Sequence, residues 1–259
     1  MFIPLDHEKI LAQLPRSLFE IIIKPIVDST NTYLKGLENQ SNYLVCIAEQ
    51  QTRGRGRLNR TWLSPFGENI YCSIKLPYNG QLEKIAGFSL AICIGAHQIL
   101  NELVQKEGLK IKWPNDLLYR GKKISGILIE IEKNLNNEIS LIIGIGINVN
   151  MMTSSEDIIQ AWTSLKAITG EELDRNEIVS SLLNHLTGTI EQFFKQGLEP
   201  FIEYYTKHDF LFDKVIKVEN AAEVYQGKAK GIDASGRLQI ETENQAIMSF
   251  CSGETQILK

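Results

Sequence analysis

The 259-residue sequence is poor in the residue types that build metal and redox centres, with four cysteines and four histidines. Cys46, Cys72, Cys93 and Cys251 lie far apart, without a CxxC pair or a Cys/His cluster. That spacing excludes a zinc-finger framework and leaves small, buried or half-buried thiols in a reducing cytoplasm. His7, His97, His185 and His208 have no metal-ligand spacing, and no Ser/His/Asp arrangement stands out. Long apolar runs are also missing. "GFSLAICIGAHQIL" and "SLIIGIGINV" are too short or too interrupted to span a bilayer. The N-terminus carries no basic segment followed by an apolar run, so no signal peptide and no membrane partner are expected. Nor is there an excess of basic charge. A net charge of -4 argues against a surface that binds polyanions generally, so any affinity for phosphate or nucleic acid must be local. Repeats and low-complexity segments are absent.

What is present reads as an ordinary globular chain, 43% hydrophobic and 22% charged. Its length suits one large domain and one small one. "FEIIIKPIVDSTN" reads as a strand running into a polar turn, where Asp28, Ser29, Thr30 or Asn31 could cap a helix over "TNTYLKGLEN". "YLVCIAEQ" is a strand that empties into an Arg/Gly loop, and "NIYCSIKLP" is a strand halted by Pro77. Apolar residues recur at helical spacing from Glu83 to about Glu107. "LKIKW" alternates as a strand does, "PND" and "GKK" turn the chain, and "ISGILIEIE" pairs with "EISLIIGIGINVN" as a hairpin across "KNLNN". Helices are expected at about 156–168, 176–197 and 199–207. The tail is a run of short strands separated by glycine turns, which suits a small barrel. Strands and helices without strict βαβ alternation favour α+β, with a boundary near residue 210.

Two stretches carry chemistry. "EQQTRGRGRLNRTW", Glu49 to Trp62, holds Arg53, Arg55, Arg57 and Arg60 with Gly54 and Gly56 among them. The glycines allow backbone angles closed to other residues and close approach to a ligand. The arginines repel one another, so the loop should be mobile until an anion supplies bidentate contacts. A solvated basic loop and an RNA-binding arm are the alternatives. "KWPNDLL" ends a strand at Trp113 and turns at Asn115–Asp116. A plain strand and turn accounts for Trp113, Pro114 and Asn115, but less well for Lys112 and Asp116, which would lie close together. Lys123, at the next turn, could return to the same sheet edge. The GxG of "LIIGIGINVN" lacks a third glycine and a following helix, so it is not a Rossmann fingerprint. Its glycines mark close approach of a backbone or a ligand, and Asn148 could present an amide to a base or sugar.

Together, "DSTN", "AEQQTRGRGRLNRTWLSPFGENIY", "KWPNDL", "KKISGILIE", "GIGINV", "LDRN" and the tail "GKAKGIDASGRLQIE…GE" resemble the biotin–protein ligases over nearly the whole chain. GRGR, KWPND and K-(I/L)-x-G in this order are specific to that family. The resemblance implies an α+β catalytic domain, residues 1–210, with a mixed sheet like that of class II aminoacyl-tRNA synthetases. An SH3-like β-barrel, residues 211–259, would follow. It implies ATP, Mg²⁺ and biotin, and a biotin carboxyl carrier protein as protein substrate. Biotin's carboxylate attacks the α-phosphate of ATP, and a lysine of the carrier then attacks the biotinyl-5'-AMP.

Position by position, the resemblance assigns Ser29, Thr30 and Gln51, with Asn31 beside them, to the ureido ring. Gly54, Arg55, Gly56 and Arg57 match the ligand loop. Lys123, with Gly126 in the same motif, matches the lysine that contacts biotin's carboxylate and the α-phosphate, and Arg57 the arginine near the anhydride. Asp116 matches the base or orienting group for the incoming lysine. Arg55, Arg57, Arg60, Trp62, Lys112, Asn115, Asn148 and Trp162 fall in the nucleotide site, while metal ligands stay unassigned. The chemistry suits these residue types. Two anions must meet, and fixed cations offset their repulsion. An acceptor lysine with pKa ~10.4 costs on the order of 4–5 kcal/mol to deprotonate at neutral pH, so a nearby carboxylate is a sensible requirement.

The family's loop reads GRGRxGRxW, and Asn59 takes one glycine slot here. Asn tolerates positive φ, so the turn is expected to survive. The family's winged helix-turn-helix is not expected, because fewer than about thirty residues precede "DSTN". No operator binding is therefore predicted, and a specific gel shift on a biotin-operon fragment would refute that. A homodimer is left open, and a lipoate ligase is the nearest rival activity.

Overall fold

The computed structural model describes residues 2–38, 41–134, 136–153, 160–220 and 223–258. Its larger sheet has seven strands: β1 (Phe19–Val27), β2 (Tyr43–Gln51), β3 (Ile70–Tyr78), β4 (Leu109–Lys112), β5 (Asp116–Tyr119), β6 (Lys122–Lys133) and β7 (Ile139–Ile147). Their spatial order is β1-β2-β3-β7-β6-β5-β4. β1 and β2 are parallel and every other pair is antiparallel, so the sheet is mixed. A parallel pair needs a crossover, and the short helix α2 (Thr30–Leu34) provides it. β2 is buried along most of its length because both its faces are covered. On one side Leu44 and Cys46 meet Leu34 of α2 and Ile142 of β7. On the other side Val45 and Ile47 join the main core.

That core lies between the sheet and two long helices, α3 (Phe88–Val104) and α5 (Arg175–Gln196), with α1 (His7–Leu11) against α5. A Cβ at Gly95 would come within 2.8 Å of Thr189 Oγ1 and 2.9 Å of Leu186, so this glycine lets α3 and α5 close up. The segment Leu82–Val104 is long and apolar enough to cross a membrane by length and composition. Within the fold, α3 is a core helix with Phe88, Ile92, Ala96 and Leu100 buried. α4 (Leu165–Thr169) and α6 (Glu199–His208) complete the helices, and α6 opens on Pro200, whose missing N–H costs nothing there.

A second, antiparallel sheet has the order β11-β10-β9-β8-β12. Its strands are β8 (Val215–Asn220), β9 (Glu223–Ile232), β10 (Leu238–Glu241), β11 (Ile247–Phe250) and β12 (Glu254–Ile257). Ile216, Val218, Leu238 and Ile240 from this sheet belong to the same apolar cluster as the large sheet's residues. Trp113, 2% exposed, also donates its indole N–H to the Gly236 carbonyl at 2.9 Å. The strand-and-turn reading of Trp113 thus acquires a second role, fastening the two sheets.

Four expectations are corrected. Pro77 does not halt β3, which continues to Tyr78. Pairing with β2 ends at Lys75 while pairing with β7 continues, so the missing N–H falls where one side has no neighbour. The helix expected from 83 to 107 divides at Gly87, whose φ of +81° breaks a 3-10 turn (Leu82–Ile85) from α3. The helix after "DSTN" spans only Thr30–Leu34. Of the helix expected at 156–168, residues 156–159 lie outside the described ones. Residues 160–164 are not helical, because Trp162 bridges to Lys123, and the helix starts at Leu165 behind the Ser164 cap.

Candidate active site

A cavity of about 640 Å³ opens between the large sheet, the Arg/Gly loop and the edge of the small sheet. Every sequence-predicted site residue lines it except Gly54. Gly253, Glu254 and Thr255 of the C-terminal sheet also line it, and sequence reasoning assigned them nothing.

One end of the cavity is neutral and hydrogen-bonded. It is built on the first turn of α2, whose N-cap residue is Ser29. Asp28 Oδ1 accepts from the Ser29 N–H at 2.6 Å, and the Ser29 side chain makes no capping bond. Ser29 therefore lines the cavity with its hydroxyl unspent on the helix. Thr30 donates its backbone N–H to Gln51 Oε1 at 2.9 Å, and Gln51 Nε2 donates to Ser64 Oγ at 3.0 Å. Ser64 in turn donates to the Trp62 carbonyl at 2.9 Å, so this end is braced by the closing arm of the loop.

The other end is cationic. Lys112 and Asp116 are cross-strand partners in the β4–β5 hairpin. Lys123 Nζ lies 2.7 Å from Asp116 Oδ1 and 5.5 Å from the centre of the Trp62 ring. Arg57 donates to Asn115 Oδ1 at 3.4 Å and to the Gly253 carbonyl at 3.5 Å. Burial pulls the Arg57 guanidinium below its ordinary pKa, and Asp116 and Glu254 work against that. Burial likewise lowers Lys112, which Asp116 partly offsets. Three half-buried cations share Asp116 and the charge of Glu254, which is itself paired with Arg60, so positive charge is in excess there and an anionic ligand would relieve it. The Trp62 indole N–H is buried without a protein partner, and Trp62 lines the same cavity.

The loop is held over the cavity by the protein's own acids. Arg55 bonds Glu130 at 3.1 Å, and Arg60 pairs with Glu254. Mutual repulsion of the arginines is thus met by carboxylates from β6 and β12, which local sequence could not reveal. The glycine reading also changes. Neither Gly54 nor Gly56 has positive φ, and Gly56 is extended at φ -104°. Gly54 is needed for space, since a Cβ there would lie 2.4 Å from the Trp62 carbonyl and 2.7 Å from Ser64 Oγ. The left-handed positions are Leu58, at φ +52°, and Asn59, at φ +57°. The GxG of β7 likewise makes room for side chains rather than for a backbone. A Cβ on Gly144 would lie 2.4 Å from Asn31 Oδ1, and one on Gly146 2.5 Å from Trp62. Asn148 donates its amide N–H groups to the Thr163 carbonyl at 3.0 Å and the Lys123 carbonyl at 3.4 Å, tying the Trp162 segment beside Lys123.

Sequence reasoning also missed Arg175, 2% exposed, which forms a 2.7 Å ion pair with Glu49 and donates to the Ile3 carbonyl. This pair ties the start of α5 to the strand that feeds the loop. It lies inside the "LDRN" stretch, but nothing local distinguishes a buried arginine from an exposed one.

Comparison with known proteins finds the same layout elsewhere. Residues 23–150 match the biotin/lipoate A/B protein ligase family, and residues 212–257 match the biotin protein ligase C-terminal domain. The bifunctional ligase/repressor BirA of Salmonella typhimurium is 33% identical over 255 residues, spanning 98% of this chain and 78% of that protein. The biotin–[acetyl-CoA-carboxylase] ligase of Mycobacterium tuberculosis is 30% identical over 213 residues, 79% of this chain and 76% of that one. Among solved structures, the biotin protein ligase of Aquifex aeolicus in complex with biotin and ATP superposes with a TM-score of 0.80. It is 30% identical and covers 92% of this chain and 98% of its own.

Proposed function

The chain belongs to the biotin/lipoate A/B protein ligase family, and on that footing we propose that it activates biotin with ATP and transfers it to a lysine of a carrier protein. The observation that carries this reading is the meeting of the neutral pocket and the cationic cluster in one cavity. The neutral end suits an uncharged ureido ring. The cationic end suits a carboxylate meeting a triphosphate.

In the first step the biotin carboxylate oxygen bonds to the α-phosphorus and the bond to pyrophosphate breaks, leaving biotinyl-5'-AMP. Lys123 and Arg57 offset the charge that accumulates on the α-phosphate oxygens. Lys123 exchanges its bond to Asp116 for the incoming anions, which frees the carboxylate. In the second step Asp116 orients the acceptor amine and takes its proton as nitrogen attacks the acyl carbon and AMP departs. Arg55, Arg57 and Arg60 hold the loop over the anhydride, which keeps water away. Asp116 and Glu254 are each paired with a cation, and the described residues hold no cluster of three or more metal-ligating side chains. Mg²⁺ entering with ATP would offset the charge of the departing pyrophosphate.

The acceptor that fits is the biotin carboxyl carrier protein of acetyl-CoA carboxylase, by analogy with the biotin–[acetyl-CoA-carboxylase] ligase of Mycobacterium tuberculosis. Pyrophosphate exchange with biotin and with lipoate, followed by transfer to a purified carrier domain, tests the reading. Biotin-dependent exchange and carrier labelling are expected. Exchange that responds to lipoate alone would replace biotin as the substrate.

A further inference from the structure

We propose that Glu130 is a positioning residue for the ligand's ring: through Asn31 and Ser73 it sets the direction of a hydrogen-bond chain, so that Thr30 Oγ1 meets the cavity as an acceptor. This deepens the biotin reading and rests on it.

Glu130 stands on β6 outside the cavity lining, with its side chain 19% exposed. Its Oε1 receives Lys35 Nζ at 2.8 Å, and its Oε2 receives Arg55 Nη2 at 3.1 Å and Asn31 Nδ2 at 2.8 Å. Burial alone would raise this carboxyl, but the bonds from Lys35 and Asn31 and the charge of Arg55 hold it below its usual range. An ionised carboxylate only accepts, so the Asn31 amide must turn its nitrogen toward it. Asn31 Oδ1 then faces Ser73 Oγ at 2.6 Å, and because an amide oxygen only accepts, Ser73 commits its single proton there.

Ser73 Oγ also lies 2.7 Å from Thr30 Oγ1. Two hydroxyl oxygens this close require a proton between them, and Ser73 has none left, so Thr30 donates. The 3.1 Å contact from Thr30 Oγ1 to Gln51 Oε1 is then left without a proton, and Gln51 Oε1 is satisfied by the Thr30 backbone N–H. Thr30, which lines the cavity, keeps its lone pairs for an N–H of the ligand, and a cyclic urea supplies one. Ser73 is fully buried and does not line the cavity. Arg55, bound to the same carboxylate, ties closure of the loop to this ordering.

A glutamine at 130 breaks the symmetry on which the chain depends. Lys35 and Arg55 would claim its oxygen and leave its NH₂ facing Asn31. The Asn31 amide would flip, Ser73 would donate to Thr30, and one of the two Thr30 lone pairs would be taken from the ligand while its proton turned to Gln51.

Biotin affinity is to be measured by calorimetry on wild type, Glu130→Gln, Ser73→Ala and the double variant, with thermal unfolding alongside. Each single variant should bind about tenfold more weakly, equivalent to one hydrogen bond, and the double variant no more weakly than Ser73→Ala alone. Wild-type affinity in Glu130→Gln, or two effects that simply add, overturns the inference while leaving the ligase reading intact. Should Glu130→Gln not fold, Ser73→Ala decides alone, because that side chain does not reach the cavity and unchanged binding there overturns the chain. If wild type itself binds no biotin, the proposed function falls together with this inference.

Discussion

At one end of the cavity Arg57, Lys112 and Lys123 surround Asp116; at the other, Ser29, Thr30, Asn31 and Gln51 carry no formal charge. The cationic end is strong and forgiving, since charge acts over several ångströms and a side chain may shift without losing its effect. The neutral end is weak per contact and directional, and it works only if every donor faces an acceptor. Errors at the first should therefore cost rate, and errors at the second should cost recognition.

The largest expected effect tests the cationic end. Lys123→Ala should lower biotin-dependent pyrophosphate exchange by about a hundred- to a thousandfold, the usual loss when a preorganised charge is removed from a developing anion. Wild-type exchange in that variant would remove Lys123 from the chemistry.

A titration outside both ends bounds the pH range in which they can be compared. His97 is fully buried, bonds the Leu109 carbonyl and contacts His208, and burial pushes its pKa down to about 4. Its folded pKa lies below the unfolded value, so unfolded chains take up the proton first as pH falls. Stability should be full above about pH 6.5 and lost progressively down to about pH 4, by on the order of 3 kcal/mol at most. Melting curves across that window should show a slope that His97→Gln flattens. An equal slope in the variant would assign the loss to other groups.

The neutral end is tested by space. Gly146→Ala places a methyl 2.5 Å from Trp62, which bridges the two ends. Displacing that ring should cost about 1–3 kcal/mol of stability or of ligand affinity. Unchanged melting and unchanged biotin affinity together would show that Trp62 moves freely.

The smallest effect concerns retention. Arg57→Gly should release biotinyl-5'-AMP about tenfold faster, the loss of one charge-assisted contact, as read by filter retention of labelled intermediate. If Lys123→Ala and Arg57→Gly affected rate and retention alike, the division between the ends would fail.

The cationic end was legible because its residues fall in short motifs, and a cross-strand pair such as Lys112 and Asp116 can be read from a single hairpin. Ser73, Glu130 and Glu254 were not legible. Each is an ordinary residue of an ordinary strand until the sheet order sets β3 and β7 beside β6 and the small sheet closes over the loop. The loop's glycines misled for a related reason. Gly54 was read as backbone freedom, but its requirement comes from Ser64 and the Trp62 carbonyl packing against it.

Local chemistry thus indicated most of the elements and the charged cluster, because periodicity, turn residues and charge act between neighbours in the chain, while the class of ligand came from the family resemblance. Folding alone settled which hydroxyl donates and which accepts, which carboxylate holds each arginine, and which glycine must stay bare. Those depend on contacts of a few ångströms between segments far apart in the chain, and no local pattern encodes them.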